Sequence, residues 1–227
     1  MMINKMPTLP KLYLATTNPG KLREFSEAAH NLGLSLEMLP GLAEIPPPLE
    51  DGETFEANAR IKAEFYSRTA PAAFVLAEDS GLSVPELDGA PGVYSARYAA
   101  MLRGGNHAGH ANSSGGSHSN SSDDDNNRAL MSQLGRLPAG GHAAKYVCVI
   151  ALAREGKTVQ LYTGEARGQM LTEPRGSGGF GYDPYFYFPE LGKTFAELSL
   201  EEKRRHSHRG QAIRALQAAL PKVIAGL

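Results

Sequence analysis

The chain has 227 residues, 41% hydrophobic and 21% charged, with a formal net charge of −1. That length can bury a sizeable core as one large domain or two lobes, and the near-neutral balance excludes a global field that would gather nucleic acid or an anionic membrane. No apolar run approaches the ~20 residues needed to span a bilayer, and Met1–Pro10 lacks a signal-peptide apolar segment, so membrane partners are not expected.

In chain order, Lys11–Thr16 is predicted as a strand, and Asn18-Pro19-Gly20 turns into a helix that carries Leu22, Phe25, Ala29 and Leu32 on one face. Pro19 suits the first helical position, where an N–H would be unpaired anyway, and Gly33 suits the C-cap. Pro46-Pro47-Pro48 stiffens a linker into a second helix, about residues 54–69, with Thr54 as N-cap. A buried strand over 73–77 leads into Glu78-Asp79-Ser80-Gly81, expected to end the strand and turn. Residues 145–153 and 158–165 are apolar and β-rich around Glu155-Gly156-Lys157, which predicts a hairpin. Cys148 lies inside that first run and is read as a small core residue, compatible with a reducing cytoplasm. Phe186-Tyr187-Phe188 predicts a short strand. Thr194 with Glu197 and Ser199 with Glu202 are capping boxes, the second opening a helix toward Arg205. A last helix uses Ile213, Leu216 and Leu220 and is expected to stop at Pro221. Between these elements, Arg103 to Asn127 is almost all Gly, Asn, Ser, His and Asp, the composition of a mobile loop, and the excess over 103–125 is read as an insertion. The spacing of its His107, His110 and His118 matches no closed zinc site.

Four stretches could carry chemistry. Thr16-Thr17-Asn18-Pro19-Gly20-Lys21 joins a strand to a helix, where free N–H groups and the helix dipole attract anions. It is either a phosphate site or an ordinary turn, and it is not a P-loop, because Ala15 and Leu22 replace the required Gly and Ser/Thr. Glu50-Asp51-Gly52-Glu53 and Glu78-Asp79 are solvated turn acids or, brought together, carboxylate ligands for Mg²⁺, which takes one or two of them plus phosphate oxygens. Gly176–Pro184 holds four glycines in six residues beside Phe180, Tyr182 and Asp183: a flexible loop, or a close backbone approach to a flat ligand. Lys203–Gly210 is a basic helix face or a set of donors for a triphosphate or purine carbonyl.

Together, and in this order, these elements resemble the inosine triphosphate pyrophosphatase family, also called Ham1-like or non-canonical purine NTP pyrophosphatases. The similarity is carried by Thr16, Asn18, Lys21 and Glu24, by Glu78-Asp79-Ser80-Gly81-Leu82, by Leu87 to Tyr98, by Gly179 to Pro184, and by Ser207-His208-Arg209-Gly210. Ala57 stands where the family often has Glu before Asn58, and Leu49 takes the earlier place of a paired acid. The resemblance implies one domain over residues 11–221, an α/β fold of two lobes on a long mixed β-sheet, an active site in the cleft between them, and a cytoplasmic homodimer. It implies hydrolysis of ITP, dITP and XTP to the monophosphate and pyrophosphate with Mg²⁺. Carried over by position, Thr16, Thr17, Asn18, Pro19, Gly20 and Lys21 contact the triphosphate. Asp79 is the catalytic acid/base and a metal ligand, Glu50 the second metal ligand, and Ser80 contacts substrate. Phe180, Gly181, Tyr182, Asp183, Lys203, His208 and Arg209 surround the nucleotide, largely at the base. The alternatives are another Mg²⁺-dependent phosphatase or nucleotidyl transferase, and a non-catalytic nucleotide sensor.

Overall fold

The structure is a computed structural model describing residues 11–31, 34–104, 120–138 and 140–226. Strand β1 (Leu12–Leu14) pairs in parallel with β2 (Leu36–Met38) on one side and with β3 (Phe74–Ser83) on the other. The sheet then continues antiparallel through β4 (His142–Arg154), β5 (Lys157–Met170), β6 (Phe186–Phe188) and β7 (Lys193–Thr194). The result is one seven-stranded mixed sheet in the order β2-β1-β3-β4-β5-β6-β7. At about 3.3 Å per residue, the hairpin strands β4 and β5 run roughly 40 Å, long enough to serve two lobes.

The upper lobe is a three-layer sandwich. Alternation along β3 sends Phe74 and Leu76 to one face, against Phe25 of α1 (Pro19–Asn31) and Ile213 and Leu216 of α6 (His208–Ala225). Val75 and Ala77 go to the other face, against Ala59 and Ala63 of α2 (Phe55–Ser67). The Thr54 hydroxyl caps α2 by accepting from Ala57 N–H. In the lower lobe the same strands contribute Leu82, Tyr146 and Met170, packed against Tyr98 of α3 (Tyr98–Arg103), Leu130 of α4 (Asp123–Leu134), Phe186 and Phe195. Each fully buried Leu or Phe contributes about 1.5–3 kcal/mol, so both lobes carry their own apolar driving force. Both capping boxes form, and the second opens α5 (Leu200–His206).

Three expectations change. β3 does not end at Glu78-Asp79; it pairs with β4 without a break from Val75 to Ser83, and the acids sit in mid-strand. α6 runs through Pro221, because Val223 and Ile224 still pack on the core and offset the lost helix bond. Parts of the polar stretch are helical: Arg103 closes α3, and Ser122 caps α4 by accepting from Asp125 N–H, so residues 122–127 are not loop. Strands β2 and β7 and helix α3 were not anticipated. Leu32, Gly33 and residues 105–119, with His107, His110 and His118, lie outside the described residues. Cys148 is fully buried, as expected of a core residue. No helix among the described residues is long and apolar enough to cross a membrane.

Candidate active site

β1 stops beside Leu76, whereas β3 continues to Ser83. The chain leaves the sheet at that step through Ala15–Asn18, and the step opens a crevice between the lobes, at the carboxyl end of a parallel strand where ligands commonly bind. Two recesses share its floor. One is lined by Thr16, Thr17, Glu50, Lys62, Glu78 and Asp79, among others. The other is lined by Glu24, Tyr146, Phe180, Asp183, Lys203 and Arg209, among others. Asn18, Lys21, Ser80 and Ala96 line both, so the two form one elongated cleft.

Strand alternation decides which way each residue of the acidic motif points. Asp79 turns toward α2, where Lys62 Nζ donates to Asp79 Oδ1 at 2.9 Å and to Glu50 Oε2 at 2.7 Å. Glu78 and Ser80 turn the other way. Glu78 pairs with Lys21 Nζ at 2.6 Å, and the Ser80 hydroxyl accepts from Arg209 at 3.1 Å. Burial alone would raise the Glu78 carboxyl, but Lys21, Arg209 and Lys62 outweigh it and bring the pKa down to about 2. Burial pushes the Asp79 carboxyl up, and Lys62 and Lys21 reverse only part of that rise. Asp79 Oδ2 is buried with no hydrogen-bond partner among the described residues. Two carboxylates converging on one cation position, one with a free oxygen, are a donor set that could hold a hard divalent ion. Among the described residues no group of three His, Cys, Asp or Glu side chains is placed to hold a metal.

The turn before α1 is partly self-satisfied. Asn18 Oδ1 accepts from Lys21 N–H at 3.0 Å and Asn18 O accepts from Leu22 N–H at 2.9 Å, so Asn18 caps the helix. Pro19 has no N–H to pair at this helix start. Pro19 and Gly20 line neither recess. Gly20 instead lies beneath the Phe180 ring, which a Cβ would meet at 2.6 Å. The absent side chain therefore lets the turn before α1 and the glycine-rich loop touch. Gly81 acts similarly and makes no turn: a Cβ there would lie 2.7 Å from Gly92 O, where Ser95 Oγ accepts from Leu82 N–H.

The other recess ends in a buried ionic network. Lys203 Nζ donates to Asp183 Oδ2 at 2.6 Å and to Glu24 Oε1 at 3.0 Å, and Arg209 pairs with the same Glu24. Burial would raise the Glu24 carboxyl, but Arg209 and Lys203 outweigh it and bring it down to about 2. His208 lies flat on Tyr146, with ring centroids 4.7 Å apart. Burial, reinforced by Arg209, holds its imidazole well below the ordinary value, so it is neutral, and its Nδ1 has no partner among the described residues. Arg209 Nε is also buried and unpartnered. Tyr182 and Asp183, expected as polar readers, use their polar atoms internally: Tyr182 Oη donates to Ser95 O at 2.8 Å, and Asp183 Oδ2 accepts from Phe180 N–H at 3.0 Å. From the lower lobe, Asp123 accepts from Gly181 N–H at 2.7 Å and Asn127 donates to Gly181 O at 2.9 Å.

The crevice thus gathers the predicted residues of all four stretches, with Pro19 and Gly20 as backbone supports. Sequence reasoning missed Lys62, Asp123, Asn127 and Ser95, and gave Glu24 no role. A signal existed for Lys62, which follows the buried Asn58 by one helical turn and precedes the buried Tyr66 by another.

The Ham1 family profile matches residues 12–219. A dITP/XTP pyrophosphatase of Acidobacterium capsulatum is 49% identical over 210 residues, covering 92% of this chain and 98% of the relative. A dITP/XTP pyrophosphatase of Thermus thermophilus is 44% identical over 209 residues, covering 92% and 91%. The solved structure of a HAM1 protein from Coxiella burnetii superposes with a TM-score of 0.76 at 33% identity, covering 94% of this chain and 99% of that one. With the family profile spanning nearly the whole described fold and relatives matched almost end to end, the chain belongs to the Ham1 family.

Proposed function

We propose that this protein hydrolyses ITP, dITP and XTP to the nucleoside monophosphate and pyrophosphate, and so removes them from the nucleotide pool. The observation that carries the reading is the cleft itself: a recess with buried, unpartnered nitrogens on His208 and Arg209, continuous through Lys21 and Ser80 with a recess holding Asp79, Glu50 and Lys62. Its length and charge suit a purine at one end and a triphosphate at the other. The names of the relatives, dITP/XTP pyrophosphatase, support the same chemistry.

In this reading Phe180 covers the base, and Arg209 or a backbone N–H donates to its 6-oxo group. Adenine carries a 6-amino donor there, which would leave a buried donor unpaired; such mismatches discriminate strongly. Lys21 and Lys62 bind phosphate oxygens. Asp79, with its raised pKa, orients and deprotonates the water that attacks the α-phosphorus, and pyrophosphate leaves intact. Magnesium, held by Asp79 and Glu50, would supply neutralisation of phosphate charge and acidification of water. The test is pyrophosphate release from ITP, XTP, dITP, GTP and ATP, with and without Mg²⁺. The reading requires a much larger kcat/KM for ITP and XTP than for ATP; equal rates contradict it. Orthophosphate as first product would favour a phosphatase, and tight ITP binding without turnover a sensor.

A further inference from the structure

We propose that Lys62 is an internal cation that holds the Glu50–Asp79 pair in the nucleotide-free protein, so that a divalent ion enters together with the triphosphate and not before it. The inference rests on the metal-assisted reading above. Lys62 Nζ bridges the two carboxylates at 2.7 and 2.9 Å, with only 13% of its side chain exposed. A divalent ion between the same two carboxylates would meet this ammonium at contact range, where solvent screens little. A displaced Lys62 also finds no spare carboxylate nearby, because Glu78, the other acid lining the recess, is already paired with Lys21 at 2.6 Å.

A triphosphate removes both obstacles. Its oxygens give the ammonium a new partner and give the ion further ligands. Lys62 lines the same recess as the Thr16–Lys21 turn, and its flexible four-carbon stem lets the charge move without moving α2. Asp79 Oδ2, buried and unpartnered beside the bridged Oδ1, is the oxygen available to the incoming ion. Lys62 is in this respect a placeholder that makes metal affinity depend on nucleotide.

The experiment is a Mn²⁺ titration followed by the electron-spin signal of the free ion. Wild type, Lys62→Met and Lys62→Gln are each titrated alone and with an ITP analogue whose α- and β-phosphorus atoms are joined by a methylene. Wild type should bind Mn²⁺ at least tenfold more tightly with the analogue than without it. Both variants should bind Mn²⁺ alone at least tenfold more tightly than wild type does. Wild type binding Mn²⁺ alone as tightly as the variants overturns the inference. Absence of Mn²⁺ binding in every protein even with the analogue instead overturns the metal reading, and this inference with it. Lys62→Gln keeps a polar group between the carboxylates and decides the matter if Lys62→Met does not fold.

Discussion

Glu78 and Asp79 are neighbours in sequence and opposites in space. Because β3 passes straight through them, alternation gives Glu78 to Lys21 of α1 and Asp79 to Lys62 of α2. The sequence shows both acids, but their separation depends on β3 continuing, which the Ser-Gly after them conceals. A turn was the natural expectation; β4 overrides it by pairing with every residue of the motif. Asp79→Asn should therefore lower kcat for ITP at least about a hundredfold while far-ultraviolet circular dichroism stays native. Near-normal turnover in the folded variant would contradict the role given to Asp79. His208 sets a pH dependence of a different kind. In the folded protein its imidazole is held well below 6.5, so only the unfolded chain takes up this proton as pH falls through 6.5, and stability is lost in that direction. Glu24, lowered from 4.5 to about 2, adds stability that is complete above pH 4.5 and lost as pH falls toward 2. His208→Gln should flatten the fall of denaturation free energy just below pH 6.5; an unchanged slope would contradict a buried neutral His208.

At the scale of elements, most of what the sequence predicts is there: β1, α1, α2, the β4–β5 hairpin, both capping boxes and α5. These have local causes, namely caps, periodicity and turn residues. What was missed depends on tertiary context. β2 and β7 are too short to show a period, and α6 survives Pro221 because the residues after it still have a core to cover. Pro221→Ala should raise the denaturation midpoint, by up to about 3 kcal/mol in stability, since an interior helix bond is restored. No change would mean that the helix ends where the sequence suggests. α4 begins inside a stretch whose composition predicts loop, because Ser122 caps it and Asn126 and Asn127 are buried. Its contact with Gly181 ties the lower lobe to the glycine-rich loop. Asn127→Ala removes one of these two bonds and should cost about 1–3 kcal/mol. Because Gly181 adjoins Phe180, KM for ITP should rise more than kcat falls; steady-state kinetics separate the two.

At the scale of the whole molecule, three apolar clusters, two in the upper lobe and one in the lower, share the long strands β3, β4 and β5, and the cleft lies where the lobes meet. The candidate site was legible to the extent that its residues cluster in short polar interruptions of an otherwise apolar pattern. Lys62 sits on an ordinary-looking helix and Asp123 and Asn127 in a stretch that reads as loop, so the folded chain is needed to place Lys62 and Asp123 in the cleft and Asn127 against Gly181. Glu24 appears in the sequence as the last letter of a motif, and in the fold as the carboxylate that holds Lys203 and Arg209 together. The central claim is that water attacks the α-phosphorus of a 6-oxopurine nucleoside triphosphate. The most direct measurement is hydrolysis of ITP in water labelled with heavy oxygen, with both products weighed by mass spectrometry. The account predicts one labelled oxygen in the monophosphate and none in an intact pyrophosphate. Label in pyrophosphate or in orthophosphate would contradict it.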